Sequence, residues 1–145
     1  MDWYYDCGRD PTTDFTQDSG GYRMADIYLA LLDGRTQREV YEESVQGREN
    51  VVTLAVDSMG LRLPRGQQFC FGFIDGNHDP RYVRHDFGVV WRRLVPGGAL
   101  ALDDYEGTLP EVRRTIDGLV DRWRRQIASV SPLPGTRIIA LRRSF

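Results

Sequence analysis

The sequence predicts an α/β fold built on a mostly parallel sheet with helices on both faces. Three observations carry that expectation. Apolar runs of strand length (51–56, VVTLAV; 69–74, FCFGFI; 99–102, ALAL) alternate with stretches whose apolar residues recur at helical spacing. The runs end in acids, namely Asp57, Asp75 and the pair Asp103-Asp104. Residues 69–105 read as strand, helix, strand. Such a crossover is almost always right-handed and makes its strands parallel, so both strand ends open at the same edge of the sheet.

Taken in order, residues 1–21 (MDWYYDCGRDPTTDFTQDSGG) show no sustained periodicity and read as an irregular arm anchored by Trp3, Tyr4 and Tyr5. Residues 22–145 then form a single domain. Residues 22–33 fit a helix stopping at Gly34 or a strand closing on Asp33, and periodicity does not separate the two. Residues 36–46 are helical, with Thr36 and Glu39 in a capping-box pattern and Gly47 as a stop. Residues 51–56 are β-branched enough for a short buried strand, and 69–74 form the next one, with Cys70 inside it. From 80 to 94, Tyr82, Val83, Phe87, Val90, Trp91 and Leu94 keep helical spacing behind Pro80, with His85 on the helix surface. Pro96-Gly97-Gly98 breaks the helix before strand 99–102. A long amphipathic helix runs from 110 to about 127, and a last strand at 137–142 pairs with Ser129-Val130.

Composition narrows the function classes. A chain of 145 residues with 41% hydrophobic and 28% charged residues is one ordinary globular domain. Its net charge of -2, with arginines dispersed among acids, gives no nucleic-acid footprint. No apolar run approaches the ~20 residues that cross a bilayer, and the acidic N-terminus lacks the features of a secretory signal. The two cysteines, Cys7 and Cys70, make no CxxC pattern. A cytoplasmic protein without a membrane partner is expected.

The strand-end acids are the candidate chemistry. Neighbouring parallel strands lie about 4.8 Å apart, so Asp75, Asp103 and Asp104 can converge. Three bare carboxylates repel unless a cation sits among them, and all-oxygen ligation suits Mg²⁺, Ca²⁺ or Mn²⁺. The plainer alternative is that such acids cap helix N-termini, as Asp79 before Pro80 would. His78, three residues after Asp75, would stand at the same edge as a general base or as an ordinary loop histidine. Asp57 and Ser58 fit either a helix cap or an adenine contact, the carboxylate accepting from the amino group and the next N–H donating to a ring nitrogen. Gly76-Asn77-His78-Asp79 matches the GNHD element of calcineurin-like metallophosphoesterases. With two histidines in the whole chain, the other metal ligands of that family are missing.

The stretch FIDGNHDPRYVRHDFGVVWRRLVPGGALALDDYEG resembles class I S-adenosylmethionine-dependent methyltransferases, in the branch of macrocin- and mycinamicin-type O-methyltransferases and cephalosporin-hydroxylase-like proteins. The likeness rests on the IDG, PGG and DDY elements in order and is dense over about a third of the chain. It implies a Rossmann-like domain in which Asp75, Asp103 and Asp104 hold a divalent cation, usually Mg²⁺, and His78 deprotonates a substrate hydroxyl. It also implies S-adenosylmethionine binding by Asp57 and Ser58, with Asp75 at the same pocket and Asp33 in the place of the acid that holds the ribose. Some relatives carry the base as an acid at the position of Asn77, which an amide does not replace. The family's first strand and glycine-rich turn are not recognisable, Gly20-Gly21 being the nearest remnant, so the domain reads as shortened at its N-terminus.

The function that follows is metal-assisted O-methylation of a small molecule, a sugar or secondary metabolite. Two alternatives stand beside it. One is a truncated, non-catalytic module that forms homo-oligomers through an exposed sheet edge, and the other a hydroxylase-like use of the same metal site.

Overall fold

The computed structural model describes residues 30–145. The arm at 1–21, with its aromatic anchors, and Gly20-Gly21 lie outside the described residues. What is described falls into two units that divide between Val56 and Asp57.

In the first unit, residues 30–32 are helical and Asp33 and Gly34 turn into left-handed backbone, φ 49 and 76. That is how helices end, so the strand alternative does not hold for residues 30–32. Helix α1 (Gln37–Val45) starts at the predicted capping box, Thr36 Oγ1 accepting from the Glu39 N–H while the Glu39 carboxylate accepts from the Thr36 N–H at 2.7 Å. The buried strand expected at 51–56 is absent. These residues are exposed and join none of the described strands. β-branched residues suit a strand but do not make one without a ladder partner. The Tyr41 and Thr53 hydroxyls, 2.6 Å apart, tie the segment to α1 instead.

The second unit holds a mixed four-stranded sheet in the order β1-β2-β4-β3, formed by β1 (Phe69–Ile74), β2 (Leu94–Leu102), β3 (Ile127–Pro132) and β4 (Ile139–Arg143). The α/β, Rossmann-like class holds, but the sheet is mixed rather than mostly parallel, and the two helices of this unit pack on one of its faces rather than on both. β1 and β2 are parallel, as their crossover requires, and the last two strands form an antiparallel hairpin whose β4 lies antiparallel beside β2. The chain between β3 and β4 is too short to cross the sheet, so only an antiparallel return is open to it. Helix α2 (Pro80–Trp91) ends three residues earlier than predicted, and Leu94 opens β2. Helix α3 (Pro110–Trp123) ends in a 3₁₀ turn at Arg124–Gln126.

Both helices of this unit share one core with one face of the sheet. Val83, Phe87 and Trp91 from α2 and Val112, Ile116 and Leu119 from α3 pack with Leu100, Leu102, Ile139 and Leu141. Phe87 and Trp91, one turn apart, stack at 5.4 Å between ring centroids. Gly72 lets α2 sit directly on β1, since a Cβ there would collide with Val90. The alternate residues Phe71 and Phe73 are exposed on the other face. Cys70 is exposed too, contrary to its expected burial, and it sits where the β1–β2 register slips, between Phe69 and Phe71. No helix among the described residues is long and apolar enough to cross a membrane.

Candidate active site

The register of β1 against β2 builds the site. Ile74 pairs with Leu102, and the next N–H, that of Asp103, donates to the Ile74 carbonyl at 3.0 Å. Asp75 and Asp103 are thereby the first residues beyond two neighbouring parallel strands. Asp104 then takes φ 56, a left-handed conformation that costs a non-glycine residue energy. The bend is held by the Arg137 carbonyl, which accepts from the Tyr105 and Glu106 N–H groups at 2.8 and 3.3 Å. It turns the Asp104 carboxylate inward, where the residue is 7% exposed. Carboxylate oxygens of Asp75, Asp103 and Asp104 all lie within 4.8 Å of one another.

His78 reaches the same cluster, its Nε2 lying 2.8 Å from Asp104 Oδ2. The Arg137 guanidinium stands 3.3 Å from Asp104 Oδ1. The hydrogen bond from His78, then Arg137, holds the Asp104 carboxyl below the usual carboxylate range against the opposing effect of burial. Asp104 is therefore ionised and accepts only, so Nε2 carries the proton of a neutral His78. In that tautomer Nδ1 is the proton-accepting nitrogen.

Asp75 moves the other way. Its residue surface is largely open, yet the protein crowding its carboxyl raises its pKa first, followed by the like charges of Asp103 and Asp104. The like charges thus add to an effect that begins with desolvation. Three hard oxygen donors within one ion's reach fit a divalent cation such as Mg²⁺ or Ca²⁺. The fit is better for Asp75 and Asp103 than for Asp104, which already shares its oxygens with His78 and Arg137.

The other candidates separate clearly. Asp79 caps α2, its Oδ1 accepting from the Arg81 N–H at 2.8 Å, as the plainer reading of strand-end acids required. The Asn77 amide oxygen accepts from the Asp79 N–H and so shapes the turn. Asp57 is the N-cap of a 3₁₀ turn (Ser58–Gly60), accepting from the Met59 N–H at 2.9 Å. Asp33 belongs to the first unit and ends a helical segment rather than a strand.

Sequence reasoning gave no role to four residues. Arg137, in the loop before β4, gave no signal because a lone arginine in an arginine-rich chain carries none. His85 is not merely helix surface. Its Nε2 lies 2.9 Å from the Ser58 carbonyl oxygen. Tyr82 was legible only as part of an apolar stripe, yet its hydroxyl donates to Asp57 Oδ2 at 3.1 Å. Tyr105, the last residue of the DDY element, is held at its hydroxyl by Asp117 at 2.9 Å and at its ring by the Arg113 guanidinium.

A family model described as a methyltransferase domain matches residues 9–105, more than half of the chain. The match spans Asp33, Asp57, Ser58, Asp75, His78, Asp103 and Asp104. No curated protein matches the chain.

Proposed function

The chain belongs to the methyltransferase-domain family, and from that premise we propose that it methylates a hydroxyl of a small molecule, a sugar or secondary metabolite, using S-adenosylmethionine and a divalent cation. The observation that supports this most strongly is the His78–Asp104 pair standing beside Asp75 and Asp103 at the ends of β1 and β2. A base oriented by a buried carboxylate, next to a place for a cation, suits activation of a weakly acidic hydroxyl. It also agrees with the resemblance of the IDG and DDY elements to the macrocin-type O-methyltransferases.

His78 would take the proton of the substrate hydroxyl and keep it on the imidazole, and S-adenosylmethionine, when bound, would supply the methyl group to the substrate oxygen, giving a methyl ether and S-adenosylhomocysteine. Asp104 holds the ring in the required tautomer and stabilises the imidazolium that forms. Asp75, Asp103 and the remaining lone pairs of Asp104 would hold Mg²⁺. When bound, the cation supplies charge that lowers the pKa of a substrate hydroxyl and orients it. Asp57 and the Ser58 N–H would meet the adenine of the methyl donor.

Transfer of labelled methyl from S-adenosylmethionine to a panel of sugars and polyols, with and without a chelator, tests the proposal. Mn²⁺ binding followed by water-proton relaxation gives a readout independent of turnover. Asp103→Asn should weaken Mn²⁺ binding about tenfold or more, and unchanged binding would remove the metal from the account.

One observation favours a second reading, a non-catalytic module that self-associates. β1 is at the sheet edge, no described strand pairs with its outer side, and FCFGFI carries neither charge nor proline to discourage pairing. Light scattering on the purified chain decides it. A concentration-dependent oligomer that binds no methyl donor supports this reading, and a monomer rejects it.

A further inference from the structure

The short turn that carries Asp57 and Ser58 has no buried residue of its own, and within it only the Met59 N–H holds the Asp57 carboxylate, at Oδ1. α2 supplies what the turn lacks. Tyr82 and His85 are three residues apart on that helix and so share a face. The Tyr82 hydroxyl donates to Asp57 Oδ2 at 3.1 Å, and His85 Nε2 lies 2.9 Å from the Ser58 carbonyl oxygen. A carbonyl only accepts, so His85 is the donor there. Asp57 Oδ1 is meanwhile engaged by the Met59 N–H. Both carboxylate oxygens are thus oriented, and each keeps a lone pair for an incoming amino group. Helix α2 also packs against this turn. The same helix begins immediately after His78 and Asp79.

We propose that Tyr82 and His85 are positioning residues for the methyl donor, aiming Asp57 and the Ser58 N–H at its adenine so that one rigid helix sets the adenine contacts relative to His78. The inference rests on the proposed adenine role of Asp57 and Ser58. It assigns Tyr82 a part in base selectivity that a helix-surface tyrosine would not have. An adenine amino group donates to an oriented carboxylate. The carbonyl oxygen that hypoxanthine carries in its place repels that carboxylate. Selectivity therefore falls if the carboxylate loses its direction.

The test is calorimetric titration of the full chain with S-adenosylhomocysteine and with S-inosylhomocysteine. The wild-type protein should prefer the adenine compound by about tenfold or more. Tyr82→Phe, which removes one oxygen and keeps the ring, should erase most of that preference while Mn²⁺ affinity and melting temperature stay unchanged. His85→Ala should weaken adenine binding, and His85→Gln, whose amide can replace the Nε2 donor, should restore it. If Tyr82→Phe lowers both affinities equally or leaves the preference intact, Tyr82 does not position Asp57 and the inference is overturned while the adenine reading stands. If His85→Ala and His85→Gln behave alike, His85 does not position Ser58 and its half of the inference is overturned in the same way. A wild-type protein with no preference would overturn the adenine reading and this inference with it.

Discussion

Residues 51–57 (VVTLAVD) and 69–75 (FCFGFID) look alike in sequence, each a short apolar run closed by an aspartate. They end in different states. The second is a strand paired to β2 whose aspartate joins the acid cluster. The first lies outside every described ladder, with residues 51–56 exposed. The difference lies in the surroundings rather than in the runs. β1 is followed by a helix that returns the chain to lay β2 beside it, and Gly72 lets that helix pack onto the strand. Residues 51–56 have Tyr41 as a hydrogen-bonded neighbour but no strand among the described residues. Apolar β-branched composition permits a strand, and a partner decides it. The aspartates differ in the same way. Asp75 is placed by the ladder, whereas Asp57 is held by the Met59 N–H of its own turn and by Tyr82 from outside.

The largest effect that sharpens this comparison is catalytic. Asp104→Asn replaces the charged, acceptor-only carboxylate that fixes the His78 tautomer with a neutral amide that can also donate, and should lower kcat by about 10²–10⁴-fold, measured as labelled methyl transfer. Loss of a few-fold at most would mean that the well-ordered edge is not the reacting one. Next comes stability. Phe87→Ala, in the core beneath β1, should cost about 3–5 kcal/mol by denaturant unfolding, while Val52→Ala should fall within about 0.5 kcal/mol. A Val52 cost approaching that of Phe87 would show that residues 51–56 are packed in solution, and the comparison would collapse.

The smallest effect concerns the start of α2. The Arg81 side chain, with the Arg81 N–H, lowers the Asp79 pKa to about 2. A folded-state pKa below the unfolded value of about 3.9 stabilises the fold fully above the latter. That contribution is lost as pH falls through about 2. An NMR titration of the Asp79 carboxyl carbon should find its midpoint near 2 at low salt. Because both partners are solvent-accessible, added salt should move it up. A midpoint near 3.9 at low salt would mean that the cap is not formed.

The fold was legible where local signals and topology agree. Thr36 with Glu39, Pro80, and the helical spacing of Val83, Phe87 and Trp91 each name their own structure, and the crossover rule makes β1 and β2 parallel. The convergence of Asp75, Asp103 and Asp104 followed from that rule, as did the arrival of His78 at the same edge. What stayed hidden depends on contacts distant in sequence. No pattern announces that Asp104 adopts left-handed backbone, that Arg137 braces it, or that Tyr82 and His85 reach back to Asp57 and Ser58. The mistaken strand at 51–56 and the mistaken burial of Cys70 share one cause. Both judged a segment by its own apolar content when its surroundings determine exposure.

Whether this chain holds S-adenosylmethionine beside a carboxylate-bound cation is tested most directly by calorimetric titration of the full chain with that donor in the presence of Mg²⁺. Saturable binding well below ~1 mM, weakened when Asp57 is changed to Ala, is the predicted result. No heat of binding at millimolar donor, from a chain that is folded by its melting transition, would contradict it.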